Sequence, residues 1–257
     1  MTVQLVLDGA VAEVVLNRPD KLNALDDEML GTLGTRLDEA EAAGARAIVL
    51  RGEGRGFSAG RDLGAMDAEH EDSAAWLAEH VSPLVLRIAD LPLPTFAAVH
   101  GPCLGIGLGL ALACDVVVAA EDARIGSPFA SIGAVLDSGG HWFFVERLGP
   151  QRALDLIYTA RLMSGTEAAA SGLVTRAIPG DDLLGSVRET ARAVAAGPTR
   201  AFALSKAIVR RIGEERLNLG QVLALEAHAQ GAASATADYQ EGMAAFKEKR
   251  APTFGGR

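Results

Sequence analysis

Thr95-Phe-Ala-Ala-Val-His-Gly-Pro-Cys-Leu-Gly-Ile-Gly-Leu-Gly109 is the stretch whose reading decides the fold. Thr95–Val99 is short and apolar, as a buried strand should be. Gly101–Gly105 supplies the permissive backbone that a sharp turn needs, and the spacing predicts a helix from about Ile106 to Ala113. Val116–Ala119 then reads as another buried strand. A strand that turns on glycines into a helix and resumes as a strand belongs to a β/α core. The stretch also demands a membrane check. Leu91–Cys114 carries no formal charge and is long enough to span a bilayer. However, Pro92, Pro94, Pro102 and the glycines at 101, 105, 107 and 109 interrupt it, and a spanning helix must satisfy its backbone internally. A strand, a turn and a buried helix explain it better.

Upstream, Ala47-Ile-Val-Leu-Arg-Gly-Glu-Gly-Arg-Gly-Phe-Ser-Ala-Gly-Arg-Asp-Leu63 repeats the pattern. Ala47–Leu50 is a predicted strand, and four of the nine residues in Gly52–Gly60 are glycine. Such loops let a carbonyl or an anion approach main-chain N–H groups, and a following helix adds its N-terminal partial charge. Neither loop is a phosphate loop, because no Gly-Lys-Ser/Thr follows. Gly105-x-Gly107-x-Gly109 also lacks dinucleotide-fingerprint spacing. Each loop alone is equally well a tight turn with close helix–strand packing. Together they allow a sharper reading, in which one N–H from each converges on a single oxygen as an oxyanion hole.

Farther out, Val3–Leu7 and Val11–Leu16 read as strands joined at Asp8-Gly9. Asn17–Leu25 is a polar loop. Asp26 and Asp27 can cap a helix running to about Ala43, and Gly44 can end it. A helix is predicted over about Glu69–Ile88. After Ser138 the spacing is mostly helical, with runs near 140–147, 151–159, 167–171, 182–195 and 199–211. A long stretch from about Glu215 to Lys249 is also helical, with breaks expected near Gly231 and Gly242. The simplest organisation is one β/α core over 1–195 carrying a helical region over 196–257.

The 257 residues can bury a full core, and the net charge of -9 disfavours nucleic acid and anionic lipid as partners. A local basic pocket for a phosphorylated ligand remains compatible with it. Cys103 and Cys114 lie in apolar sequence and read as reduced, buried thiols, which suits a cytoplasmic setting. The first residues lack the order of a signal peptide. No His, Cys, Asp or Glu cluster has metal-ligand spacing, so no metal is expected. His70, His80 and His228 read as solvated. Asp62 is expected to close its own loop, Asp115 to cap or pin the end of the preceding helix, and Glu146 and Arg147 to pair locally or meet a subunit.

Five segments carry a likeness. They are Arg18-Pro-Asp-Lys-Leu-Asn-Ala-Leu25, Phe57-Ser-Ala-Gly-Arg-Asp-Leu63, His100-Gly-Pro-Cys-Leu-Gly-Ile-Gly-Leu-Gly-Leu-Ala-Leu-Ala-Cys-Asp115, Ala123-Arg-Ile-Gly-Ser-Pro-Phe129 and Glu241-Gly-Met-Ala-Ala-Phe-Lys-Glu-Lys-Arg250. In order and spacing, over nearly the whole chain, they resemble the crotonase (enoyl-CoA hydratase/isomerase) superfamily. The resemblance implies an α/β fold, a spiral core of ββα units with a C-terminal helical region that packs homotrimers or dimers of trimers. It implies an acyl-CoA thioester substrate, with coenzyme A part of the substrate and no separate cofactor. It makes the N–H groups of Ala59 and Ile106 the oxyanion hole. Glycine is common at the second position, and Ile106 departs from that, but a main-chain donor survives the change. Arg18, Lys21 and Ala24, with Ala59, Gly60, Arg61, Asp62, Leu63 and Gly105, are then expected along coenzyme A and its thioester. Lys249 either reaches a coenzyme A phosphate, in its own or a neighbouring subunit's site, or is a solvated tail lysine.

The resemblance also bears on the reaction. The two glutamates that hydratase members use to activate water fall on Gly109 and Phe129, and neither residue can do acid–base work. Asp137, in Ile132-Gly-Ala-Val-Leu-Asp-Ser-Gly-Gly140, stands where enoyl-CoA isomerase members, among them the epoxyphenylacetyl-CoA isomerase of phenylacetate breakdown, keep a proton-moving aspartate. Leu136 replaces the usual proline there and His141 the usual threonine. The alternative for Asp137 is a helix N-cap, since Asp-Ser-Gly-Gly precedes an apolar run, and the two roles are not exclusive. His141 either orients Asp137 or is a pocket-wall or packing residue, and both His141 and Phe129 are expected among the residues that meet the substrate. The expected activity is double-bond migration in an enoyl-CoA. A hydratase or lyase of the same fold, and a non-catalytic acyl-CoA-binding protein, are the alternatives.

Overall fold

The computed structural model describes residues 1–65 and 72–257. Strands β1 (Val3–Asp8) and β2 (Val11–Leu16) form a hairpin in which Asp8 faces Val11. Gly9 takes the positive φ of 60° that this tight turn needs. All six residues of β2 are buried. Helix α1 (Asp27–Ala42) starts where the sequence predicts, and the Asp26 carboxylate accepts from Met29 N at 3.0 Å as the N-cap. Its leucine face, Leu30, Leu33 and Leu37, is buried, and the helix lies against β1 and β2.

Strand β3 (Ala47–Gly52) pairs in parallel with β2, and β4 (Thr95–Val99) in parallel with β3. Between them run α2 (Ser73–Trp76), a π turn over Leu77–Val81, and α3 (Ser82–Asp90). The π turn has a cause in the sequence. Pro83 has no N–H to offer Glu79 and its ring crowds that carbonyl, so the helix widens just before it. The described part of this helical stretch starts at Ser73. Glu69 and His70, which the sequence reading took as a helix start and a solvated histidine, lie outside the described residues.

The deciding stretch folds as expected, with one addition. Pro102–Leu104 is a short strand, β5, before α4 (Ile106–Ala113). Strand β6 (Val116–Ala120) pairs in parallel with β4. Strand β7 (Arg124–Gly126) pairs with β5 and, later, with β8 (Met163–Ser164), making a second sheet of order β5-β7-β8. Helices α5 (Gly140–Leu148), α6 (Pro150–Thr159) and α7 (Gly165–Ser171) follow. Strand β9 (Arg176–Ile178), which the sequence reading did not find, completes the main sheet in the order β1-β2-β3-β4-β6-β9. Helix α8 (Gly180–Ala195) packs across β3, β4 and β6. The result is the α/β spiral of ββα units that the resemblance implied.

Three helices end the chain: α9 (Thr199–Glu215), α10 (Leu219–Ser234) and α11 (Ala237–Glu248). The expected breaks near Gly231 and Gly242 are wrong. Both glycines are helical, and the breaks fall at Arg216–Asn218 and Ala235–Thr236. Asn218 caps α10 in a capping box with Gln221, and Thr236 caps α11 through Tyr239 N at 3.1 Å. Capping side chains offer the orphan first-turn N–H groups a partner. A glycine inside a helix costs only about 1 kcal/mol, so the caps decided the boundaries.

Candidate active site

The two Gly-rich loops run side by side. Ser58 N donates to Pro102 O and Leu104 N to Ser58 O, both at 2.9 Å, and Phe57 N donates to His100 O at 2.8 Å. Helix α4 docks on the first loop so closely that a Cβ on Gly107 would lie 2.5 Å from Ser58 Cβ. Ile106 is the first residue of α4, so its N–H has no preceding helical turn to bond and faces the open N-terminal end. Gly105, with φ 51° and ψ −120°, makes the turn that exposes it.

Ala59 is a correction. Its N–H donates to Leu22 O at 2.9 Å and is spent in holding the 18–25 loop. The next N–H, from Gly60, donates to Ser58 Oγ at 3.1 Å. Leu25 then bridges Arg61, donating to Gly60 O at 2.7 Å and accepting from Asp62 N at 2.9 Å. In such a parallel bridge the intervening residue turns its own N–H to the opposite side. The Arg61 N–H therefore points away from the 18–25 loop.

Arg18, Lys21 and Asp62 do come together. Arg18 pairs with Asp62 at 2.9 Å and with Asp26 at 2.9 Å, and Lys21 approaches Asp62 at 3.6 Å. Asp62 also accepts from Gly64 N at 3.2 Å, closing its own loop as expected. Burial pushes the Asp62 carboxyl up, but Lys21, the Gly64 N–H and Arg18 outweigh it and hold it below the usual range. Lys21 keeps half its side chain in solvent and so presents positive charge beside buried Ala24 and exposed Leu63. Sequence reasoning gave Asn23 no separate role. It is fully buried, and its amide donates to Glu53 O at 2.9 Å and Gly56 O at 2.8 Å while its Oδ1 accepts from Arg18 N at 2.8 Å. Its residue type was the local signal, since asparagine tolerates the left-handed region, and its φ is 55°.

Asp137 is half-buried, in the segment that packs on α4 where Ser138 meets Gly109, and it feels the charge of Arg61. It does not cap α5, whose N-cap is Gly139 with no side-chain bond. Instead Oδ1 accepts from Ser138 Oγ at 2.6 Å. Burial raises the Asp137 carboxyl above its ordinary value, against the opposing pull of the Ser138 hydroxyl, Arg61 and His141. The Arg61 guanidinium lies 3.5 Å above the centre of the Trp76 ring, and Trp76 is itself fixed by donating to Asp27 at 2.7 Å. Gly109 explains where a hydratase glutamate would have gone. A Cβ there would lie 2.3 Å from Ser138 O and 2.6 Å from Ser138 Cβ, so the Asp137–Ser138 backbone fills that space. Ser138 takes a left-handed φ of 54°, rare for a residue with a Cβ, and such strain clusters at functional sites. The Phe129 ring tip would meet a Cβ on Gly105 at 3.5 Å, so it stands beside the second loop. His141 lines a cavity with Phe129.

Lys249 is not brought to this site within one chain. It is the exposed, left-handed C-cap of α11, and no contact among the described residues joins it to the 18–25 loop. The α11 region is tied instead through Arg46, just before β3, which donates to Thr199 Oγ1 and Phe254 O at 2.9 Å each. Both cysteines are buried, and burial pushes the Cys114 thiol up to about 12, so neither is a nucleophile. Asp115 accepts from Thr95 N at 2.8 Å and meets Lys206 at 3.0 Å, pinning α9 to β4. Glu146 and Arg147 do not pair with each other. Glu146 meets Arg216, and Arg147 donates to Leu112 O and Leu173 O. Among the described residues no helix is long and apolar enough to cross a membrane.

Comparison with known proteins agrees with this geometry. A family model described as enoyl-CoA hydratase/isomerase matches residues 7–257. The Bacillus subtilis (strain 168) enoyl-CoA hydratase/isomerase homologue YhaR is 39% identical over 253 residues, covering 98% of both chains. The 1,2-epoxyphenylacetyl-CoA isomerase of Escherichia coli (strain K12) is 34% identical over 256 residues, covering 98% of this chain and 97% of that one. The crystal structure of enoyl-CoA hydratase from Bacillus anthracis superposes with a TM-score of 0.91 at 31% identity, covering 100% of each chain. Paired Gly-rich loops, a helix N-terminus aimed into the cleft and relatives along the whole length lead to one assignment: the chain belongs to the enoyl-CoA hydratase/isomerase family and acts in acyl-CoA thioester chemistry.

Proposed function

We propose that the protein is an enoyl-CoA isomerase in which Asp137 moves the proton. One observation carries the reading: Asp137 is half-buried, with a raised carboxyl, while the positions of a hydratase pair hold Gly109 and Phe129. The thioester oxygen sits against the N–H of Ile106 and an N–H of the first loop, for which the orientation of Arg61 favours Arg61 over Ala59. Coenzyme A lies along the 18–25 loop, with Lys21 available to a phosphate. The Asp137 carboxylate takes a proton from C2 of a 3-enoyl thioester, and the electron pair of that C–H bond spreads into a dienolate. The negative charge rests on the thioester oxygen, where N–H donors are worth a factor of about 10²–10³ each in rate. The carboxylic acid then returns the proton to C4, and the double bond ends between C2 and C3. No water is consumed, so one carboxyl group suffices.

The test is conversion of 3-enoyl-CoA to 2-enoyl-CoA by wild type and Asp137→Asn. A positioned base contributes a factor of about 10²–10⁴, so turnover should fall by that much while thioester binding persists. Undiminished turnover in Asp137→Asn would remove Asp137 from the mechanism. A hydratase reading is favoured by the solved hydratase structure of the same fold. Formation of 3-hydroxyacyl-CoA at enzyme-like rates would establish it. The 1,2-epoxyphenylacetyl-CoA isomerase relative makes phenylacetate-type thioesters the first aromatic substrates to assay. Apolar side chains left exposed on α9 and α10 support self-association into the trimers, or dimers of trimers, that the resemblance implies.

A further inference from the structure

Asp137 O accepts from Gly140 N at 2.8 Å, which closes a turn over Ser138 and Gly139. Both central residues have positive φ, 54° and 78°. This is the type I′ pattern, in which glycine, asparagine and aspartate dominate because a larger Cβ-bearing side chain is strained there. Ser138 occupies it nonetheless, and close packing on both sides keeps it there. A Cβ on Gly109 would lie 2.3 Å from Ser138 O, and a Cβ on Gly140 would lie 2.7 Å from Cδ1 of buried Leu136. Ser138 is itself 8% exposed. Its hydroxyl donates to Asp137 Oδ1 at 2.6 Å, since an ionised carboxylate can only accept. Among the described residues no hydrogen bond reaches Asp137 Oδ2. A turn alone would be served without strain by glycine. What serine adds is the hydroxyl.

We propose that Ser138 is a positioning residue for the base: locked in its turn against Gly109, its hydroxyl holds Asp137 Oδ1 and leaves Oδ2 to take the C2 proton. The inference rests on the reading of Asp137 as the base and deepens it. Gly109 is then required at its position, because any side chain there displaces the residue that orients the base. The corner that would carry a hydratase glutamate is used here to seat Ser138, so in this chain the two chemistries exclude each other. The charged groups facing Asp137 are Arg61 of the first loop and His141 of α5, and α4 carries no titratable side chain. Burial raises the Asp137 carboxyl, and the Ser138 bond opposes it more strongly than Arg61 or His141 does.

The test is the pH dependence of kcat/KM for 3-enoyl-CoA isomerisation, which reports the free enzyme's essential base. Wild type is compared with Ser138→Ala, Ser138→Gly and Asp137→Asn. Glycine adopts positive φ at no steric cost, so Ser138→Gly keeps the turn even where Ser138→Ala does not. Reaction needs the carboxylate, so the rate rises with pH as Asp137 ionises. Removing the hydroxyl takes away a stabiliser of the charged form. The acid limb should therefore move to higher pH by about one to two units, the equivalent of one hydrogen bond to a charged group. Above the limb the rate should fall about tenfold, part of the 10²–10⁴ that a positioned base contributes. A loss that is equal at every pH, with the limb unmoved, would make Ser138 merely structural and overturn the inference. Wild-type rates and limb in both Ser138 variants, with Asp137→Asn slowed as the base reading requires, would overturn it alone. Full turnover in Asp137→Asn, or none in wild type, would overturn the base reading and this inference with it.

Discussion

Asp137 pays for its position in the folded state. Burial holds its carboxyl above the ordinary value of 3.8, so the unfolded chain gives up this proton at lower pH than the native one. The sign follows from linkage. Below the unfolded value both states are protonated and the site costs nothing. As pH rises through the raised native value, stability falls, and above it the full cost is felt. Asp137→Asn should therefore raise the melting temperature at neutral pH, while the proposed proton transfer slows by a factor of about 10²–10⁴. The gain should shrink towards zero in acid below 3.8. Paired thermal melts at neutral and acid pH check this, and an equal gain at both would show that charge is not its cause. At this scale the sequence was only half legible. The order of residues singled out the two Gly-rich loops that the structure brings side by side, Asp137, and a glycine where the resemblance expects a glutamate. It could not show that Ala59 N–H is consumed by Leu22 O, because which N–H turns inward depends on a bridge between Leu25 and Arg61. Nor could it show that Gly109 makes room for Ser138, a contact between segments far apart in the chain.

Elements were read better than their partners. The strands of the first half were legible because their apolar runs are bounded by glycine and proline, and α1 because Asp26 caps it. Strand β9 escaped because three half-buried residues, Arg176–Ile178, carry no periodicity. The bond that locks three elements together was also invisible in sequence. Glu13 on β2 is 2% exposed, and it meets Arg51 of β3 at 2.9 Å and Arg188 of α8. Burial pushes the Glu13 carboxyl up, but the hydrogen bonds from Arg188 and Arg51 overcome it and hold it below 4.5. Glu13→Gln leaves two guanidinium groups facing a neutral amide. Removing one partner of a buried pair costs about 3–5 kcal/mol, and the partial exposure of Arg188 places this loss near the lower end. The contribution of the charge is present above pH 4.5 and is lost as pH falls through the depressed native value. Urea titrations should show wild type and Glu13→Gln well separated at neutral pH and converging in acid. A gap that persists unchanged in acid would attribute the loss to packing instead.

Across the whole molecule, the helical region is held at its two ends and not in its middle. Arg46 binds Gly197 O, Thr199 and Phe254 O, and Asp238 accepts from Gly255 N at 2.6 Å and Gly256 N at 2.8 Å, so the start of α9 and the tail are clamped to the opening of β3. Helix α10, by contrast, buries none of its residues in the single chain. Val209 on α9 and Leu219 and Leu223 on α10 are 69%, 73% and 55% exposed. Leu219 and Leu223 are four residues apart and share one face. A helix that buries nothing has little to hold it beyond its caps, since most helical stability in proteins comes from packing an apolar face. A second copy of the chain is the cover that the family resemblance implies. Light scattering should accordingly give wild type a mass that is a multiple of 26.7 kDa, a multiple of three if the resemblance extends to assembly. Val209→Asp with Leu223→Asp should shift the mass towards a single chain and lower the helix content, because α10 then loses the surface that orders it. A wild-type mass of one chain, with α10 still fully helical, would mean that its capping box and the α9 contact suffice, and would end the case for assembly through this face.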